Sequence, residues 1–242
     1  MLQSSGGVIP AATAAQRPAF VLESGPTAGV MSAAQLARDL DLPHVLAFDM
    51  GGTTAKAAVI KHGEPAFTPE LEVGAGMSSS SRLTRGAGYL LRTPSIDLVE
   101  IGAGGGSIAS VDEAGGISVG PTSAGADPGP ACYGLGGRNA TLTDATVVLG
   151  HINPSSLLGS SMTLDASAAE RVVEKNIARP LGTSLIEAAD AVHRIAAAEL
   201  ARAMRAVTSE RGIDPKMFTL IAFGGGGPGR AAALANTLNV QR

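Results

Sequence analysis

Residues 45–60 read VLAFDMGGTTAKAAVI. An apolar run meets one carboxylate, Asp49, then two glycines and two threonines, and turns apolar again. The pattern predicts a strand over 44–50 and another over 55–60, with a connection too short for anything but a hairpin turn. A carboxylate at the end of an apolar strand is costly to bury without a partner. Asp49 therefore suggests a magnesium ion or a water held for attack. Gly51 and Gly52 let the backbone turn beneath a phosphate with no Cβ in the way, and Thr53 and Thr54 add hydroxyl donors. The alternative is an ordinary hairpin whose Asp caps its own turn.

A second bend of this kind lies near the other end. In FTLIAFGGGGPGRAAALANTL the order is strand, glycine turn, helix, with Gly224, Gly225, Gly226 and Gly227 in the turn. Bare backbone here could receive a nucleotide base or ribose. No Gly-Lys-Ser/Thr follows, and the glycines are contiguous rather than spaced as GxGxxG, so neither the P-loop nor the dinucleotide fingerprint applies. A tight strand-to-helix turn explains the residues equally well. The two bends support each other, because a nucleotide in a cleft needs one element at its phosphates and another at its adenosine.

Between and before the bends the chain is mixed. Residues 20–23 read as a strand, and ESGPTAGVMSAAQLARDL continues it into a helix over about 27–40. Residues 1–19 are expected to be a poorly ordered start, and residues 20–242 one domain with a Gly-rich inserted region at about 66–140. The stretch GMSSSSRL, residues 76–83, reads as a surface excursion or a flap. Residues 107–111 and 117–119 can pair across DEAGG. The surrounding glycines and prolines exceed what folding needs, and ordering them costs backbone entropy that close packing or a ligand must offset. Helices follow: one in TDATVVLGHI capped by Thr143, one over 165–178 ended before Pro180, and a long one capped by Thr183. The long helix buries a stripe through Leu185, Ala188, Val192, Ile195, Leu200, Met204 and Val207 and stops at Gly212.

Composition narrows the classes. The 242 residues are 45% hydrophobic, enough for one sizeable core. Aromatics are 3%, so Ala, Val, Leu and Ile must fill that core. A net charge of -3 with no Lys/Arg block gives no nucleic-acid footprint. No apolar run is long enough for a transmembrane helix, and residues 1–10 do not read as a secretion signal. One cysteine, Cys132, forms no internal disulfide, which fits the reducing cytoplasm. Cys132 reads as a buried structural thiol rather than a nucleophile, since no His or Lys lies near it in sequence. His44, His62, His151 and His193 lack metal-ligand spacing.

Taken together, SGPTAGVMSAAQLA, FDMGGTTAKAAVI, IGAGGGSIASVD, GPTSAGADPGPACYG, TDATVVLG and TLIAFGGGGPG give the chain a definite resemblance to the hydantoinase A / 5-oxoprolinase family. They occur in the family's order over residues 20–240. The resemblance implies an actin-like ATPase fold built from ribonuclease-H-like halves, here incomplete, with a Gly-rich β insertion. It implies that Asp49, Gly51, Gly52, Thr53 and Thr54 form the second phosphate-binding hairpin, with Asp49 the catalytic and magnesium-holding carboxylate. Gly224, Gly225, Gly226 and Gly227 become the adenosine-side turn. The signatures around Gly104, Gly105 and Gly106, and around Gly125, Asp127 and Cys132, fall on the substrate side. ATP and Mg2+ are the implied cofactors.

The implied chemistry is phosphorylation of an amide carbonyl oxygen, so that water can open a cyclic amide of the 5-oxoproline or hydantoin type. Asp127 or Asp144 could hold that water, although turn and helix-cap roles suit each as well. An ATP-dependent ketone carboxylase subunit of the same superfamily is the first alternative, and a non-catalytic remnant or partner-binding domain the second. Three departures stand out. Lys56 occupies a position where many members carry an acid. Gly229 and Arg230 replace a Leu-His pair, which removes an imidazole that could touch the ligand. Only one Asp-Gly-Gly-Thr-type hairpin is present, so the residues look like the central piece of a larger subunit. The resemblance then implies a hydantoinase B-type subunit and a further N-terminal region as partners, with little turnover by the chain alone.

Overall fold

The computed structural model describes residues 1–73, 88–155, 162–240 and 242. Residues 76–83, read above as an excursion or flap, lie outside them. The chain is a mixed α/β protein. Helix α1 (Ser24–Asp39) leads into strand β1 (His44–Met50), which turns back as β2 (Ala55–Lys61) and is followed by β3 (Glu64–Pro65) and β4 (Val99–Ile101). Strands β5 (Ser107–Val111) and β6 (Ile117–Ser123) form a separate antiparallel pair. Helices α2 (Leu142–Val148), α3 (Ala166–Val173) and α4 (Leu185–Glu210), strand β7 (Thr219–Phe223) and helix α5 (Ala231–Leu238) complete the order used below.

The main sheet runs β7-β1-β2-β3, and β4 pairs with the other end of β2. β7 lies parallel to β1, with Val45 beside Thr219 and Asp49 beside Phe223. β2 lies antiparallel to β1, with Asp49 opposite Lys56. Strand alternation assigns the faces. Leu46, Phe48 and Met50 enter one core with Val192, Ala196, Leu200 and Met204 of α4 and Leu234 of α5. Val45 and Ala47 enter the other, against Val30, Ala33, Ala34 and Ala37 of α1. Asp49 shares the parity of Val45 and Ala47, so it belongs to the α1 face. Alanine on α1 lets the helix sit close to the sheet. Gly29 makes the limit visible, because a Cβ there would run into the Phe223 ring.

Several local expectations need correction. Residues 20–23 are not a strand: a 3-10 turn over Pro18–Val21 precedes α1, and the Phe20 carbonyl accepts Ser4 N–H at 2.7 Å. Pro26 falls in the first turn of α1, where its missing N–H costs nothing, so the helix starts earlier than expected. Residues 1–19 include a helix at Ala11–Gln16 and a Leu2–Val8 bridge, with Ser4 fully buried. The cap of α2 is Thr141, in a reciprocal box with Asp144, not Thr143. Helical backbone continues through Pro180 to Leu181 and stops at Gly182, φ 66°. Ser184, exchanging bonds with Glu187, opens α4 in place of Thr183.

Candidate functional site

The register brings the two glycine bends together. β1 and β7 are neighbours, so the 51–54 turn and the 224–227 turn leave the same end of the sheet side by side. Gly226 N–H donates to the Met50 carbonyl at 2.8 Å. Gly224 has φ +79°, and a Cβ there would strike Asp49 Oδ1 and come within 2.7 Å of the Met50 carbonyl oxygen. No other residue fits. Around Gly52 and Gly225, by contrast, an added Cβ meets nothing within 4 Å. Gly51, Gly52, Thr53, Gly224 and Gly225 are exposed. Among the described residues the N–H groups of Gly52, Thr53 and Gly225 donate to no protein acceptor. The site therefore offers free backbone donors over open ground, which is the chemistry of an anion cradle, with the Asp49 carboxylate beside it.

Asp49 is half-buried, and burial holds its carboxyl above the ordinary value of 3.8, with Lys56 pulling the other way. Lys56 in turn is 2.5 Å from Glu23, the residue before α1, and both side chains are largely buried. Lys56 is thus engaged by a carboxylate 33 residues earlier. Beside this pair a small recess of about 20 Å³ is lined by Glu70, Glu72 and Glu100 as well as Glu23 and Lys56. Its acidic lining is wrong for phosphate.

The central glycine signature forms the floor of the hairpin. Gly105 N–H donates to Gly51 O at 3.0 Å and Gly106 N–H to Gly52 O at 2.6 Å. A Cβ on Gly104 would overlap the backbone of Gly52 and Thr53. Gly104→Ala is expected to cost about 2 kcal/mol, since one methyl must displace backbone. Urea unfolding of the variant against the wild type measures it.

From this floor the bonding runs into α2. Thr143 donates both its N–H and its Oγ1–H to Gly105 O, each at 2.8 Å. Asp144 is fully buried and accepts from Ala131 N–H (3.2 Å), Cys132 N–H (2.8 Å), Thr141 N–H (3.0 Å) and Thr141 Oγ1–H (2.7 Å). A carboxylate so occupied clamps a loop and has no room to hold a water. Cys132 is fully buried, and burial, then Asp144, pushes its thiol far above the usual range. Asp127 lies exposed in a turn. Two residues before it, the Gly125 carbonyl comes within 3.4 Å of where a Gly106 Cβ would stand, so this turn borders the hairpin floor.

Arg230 does not face a ligand. It is 2% exposed, and its Nη2 donates to Thr146 Oγ1 at 2.7 Å. Burial pulls its guanidinium down to about 10. His193 is also buried, with a pKa lowered by burial, then by Arg230 and His151. Sequence reading missed the roles of Glu23, Thr143, Thr146 and Arg230, all of which depend on long-range contacts. Among the described residues no group of three or more His, Cys, Asp or Glu could hold a metal ion, and no helix is long and apolar enough to cross a membrane.

Comparison with known proteins gives the family of the chain. The sequence model of the hydantoinase/oxoprolinase family matches residues 1–242, and the chain belongs to that family. It is 45% identical over 241 residues to an uncharacterized protein of Methanocaldococcus jannaschii, covering 100% of this chain and 35% of that one. It is 37% identical over 239 residues to the acetophenone carboxylase gamma subunit of Aromatoleum aromaticum, covering 97% of this chain and 30% of that one. The crystal structure of ATP-dependent caprolactamase from Pseudomonas jessenii superposes with TM-score 0.73 at 34% identity, over 92% of this chain and 30% of that one. The chain thus spans about a third of the length of these relatives.

Proposed function

We propose that this chain supplies the nucleotide-holding part of an ATP-dependent enzyme that opens a cyclic amide, on an actin-like ATPase fold. The observation that carries the reading is the convergence of two exposed glycine bends beside Asp49, with N–H groups of Gly52, Thr53 and Gly225 unmatched by protein. When bound, ATP supplies the phosphoryl group that turns an inert amide oxygen into a leaving group. Gly51, Gly52, Thr53 and Thr54 hold the phosphates, with backbone donors balancing charge as it develops. Gly224, Gly225, Gly226 and Gly227 receive the adenosine side. Asp49 fits magnesium, which keeps most of its waters and needs only one or two carboxylates besides phosphate. Asp127, exposed in the turn that borders the floor, holds the water that attacks in this reading.

The likeness to a caprolactamase supports a lactam-type substrate for this chain. A ketone carboxylase is the second reading, favoured by the likeness to an acetophenone carboxylase subunit. Both readings use ATP to activate oxygen. As the matched relatives are about three times longer, the reading also includes partners: a further N-terminal region and a hydantoinase B-type subunit. A cytoplasmic setting fits the single thiol.

Stimulated ATP hydrolysis tests the proposal, measured on the chain together with its partner regions. We expect ADP release with magnesium to rise on adding 5-oxoproline or a simple lactam. A rise only with ketone plus bicarbonate moves the assignment to the carboxylase. Absence of ATP binding by calorimetry overturns both.

A further inference from the structure

The two bends touch directly at Gly226 N–H and Met50 O, but they are joined a second time by a longer route. From the hairpin, Gly51 O accepts from Gly105 N–H at 3.0 Å, and Gly105 O accepts from Thr143 on α2. One turn along α2, Thr146 Oγ1 donates to Leu142 O at 2.6 Å and accepts from Arg230 Nη2 at 2.7 Å. Arg230 Nη1 donates to Gly226 O at 3.0 Å. Gly226 N–H returns the circuit to Met50, the residue before Gly51. Hydrogen bonds and short stretches of chain close a ring through Gly51, Gly105, Thr143, Thr146, Arg230 and Gly226.

Within this ring Arg230 is the only charged link, and it is an unusual choice for a packing role. Among the described residues it makes no ion pair, and its Nε is buried without an acceptor. Burying a cation without a carboxylate is costly, and an apolar side chain of similar length would fill the same space at lower cost. What an apolar side chain cannot do is donate at once to a turn carbonyl and to a hydroxyl on another helix. The planar guanidinium does both in a fixed geometry.

We propose that Arg230 is a positioning residue that locks the 224–227 turn to α2, and through α2 to the 51–54 hairpin, so that both bends meet a ligand as one preformed unit. The ligand is the nucleotide of the preceding section, and to that extent the inference rests on that reading. Arg230 does not touch the ligand. It acts by fixing where Gly225 and Gly226 stand relative to Gly52 and Asp49, which lowers the ordering cost of binding.

The test uses the full chain and two independent readouts. The first is amide hydrogen exchange at Gly226 and Gly105 without nucleotide, and the second is the Kd for Mg-ATP by calorimetry. Arg230→Met is expected to speed exchange at both amides together by about tenfold or more and to weaken ATP binding by a similar factor. Arg230→Lys, which keeps a donor but not the fork, should restore part of each. Thr146→Val removes the nearer of two acceptors on α2 with little change of shape and leaves the Leu142 carbonyl at 3.5 Å, so it should move both readouts in the same direction as Arg230→Met by a smaller factor. The double variant should be no worse than the more affected single one. If Arg230→Met does not fold, Thr146→Val decides the matter by the same readouts. Unchanged exchange at Gly105 in a folded variant overturns the coupling, as does a wild-type Kd in Arg230→Met. A wild-type chain that binds no ATP overturns the nucleotide reading instead, and exchange alone then decides whether Arg230 couples the bends.

Discussion

Asp49→Asn is expected to lower ATP turnover by about 10³-fold, the scale found when a group aimed at developing charge is removed. The substitution keeps shape, removes the charge and replaces one acceptor oxygen with an NH2 donor. Asp49 is the carboxylate at the meeting point of the two bends, and Gly224 has no side chain because Asp49 Oδ1 occupies the space where one would go. The fold should survive, because the charge is not there for stability. Burial raises the Asp49 carboxyl above 3.8, so the folded state binds its proton more readily than the unfolded chain does. The stabilisation tied to that proton is fully present below the unfolded value and is lost as pH rises through the folded one. At neutral pH the ionised carboxylate is therefore a burden, and Asp49→Asn should melt at the wild-type temperature or above it. Phosphate release and calorimetric melting, run on the same samples, check both statements. Unimpaired turnover in the variant would remove Asp49 from the mechanism.

Asp144→Ala carries the opposite expectation, a large loss of stability. Asp144 is fully buried, and its removal strands the N–H groups of Ala131, Cys132 and Thr141 away from water. Each buried donor left unmatched costs about 1–3 kcal/mol, and the losses overlap, so about 4 kcal/mol is expected in total. For a chain of this size that lowers Tm by about 10 °C. The same change should expose Cys132 to thiol reagents, since Asp144 holds the loop that buries it and helps keep its thiol protonated. Denaturant unfolding and the rate of thiol labelling give the two readings. A variant that unfolds like the wild type would show that water fills the place of the carboxylate.

The contrast between these two aspartates shows how far the sequence could be read. Both stand beside glycine-rich stretches, and both are candidates for chemistry by residue type. Asp49 sits at the end of a strand whose alternation is unmistakable, and its neighbours Gly51 and Gly52 leave the turn open. Its placement could be read because it depends on near neighbours. Asp144 could be read only as a helix cap or a water holder, because the backbone donors that occupy it come from residues 131 and 132, brought in by a turn with no periodicity. Thr143 was expected to cap α2, yet Thr141 does so, and Thr143 is freed to hold Gly105. Arg230 was expected near the ligand, in the place of an imidazole. It is buried instead, donating to the Gly226 carbonyl and to a hydroxyl 84 residues earlier.

The sequence by itself determined the paired strands around Asp49, the buried stripe of the long helix as far as Met204, the two glycine bends and the family, because each is written in residues close together or in motifs of fixed order. Only the tertiary structure decided that the bends adjoin, that Lys56 is engaged by Glu23, and that α2 joins one bend to the other through Thr143 and Arg230. The first and last of those facts depend on β7 lying parallel to β1 across more than 170 residues of chain. A parallel pairing requires a long crossover, and nothing local in either strand specifies its partner.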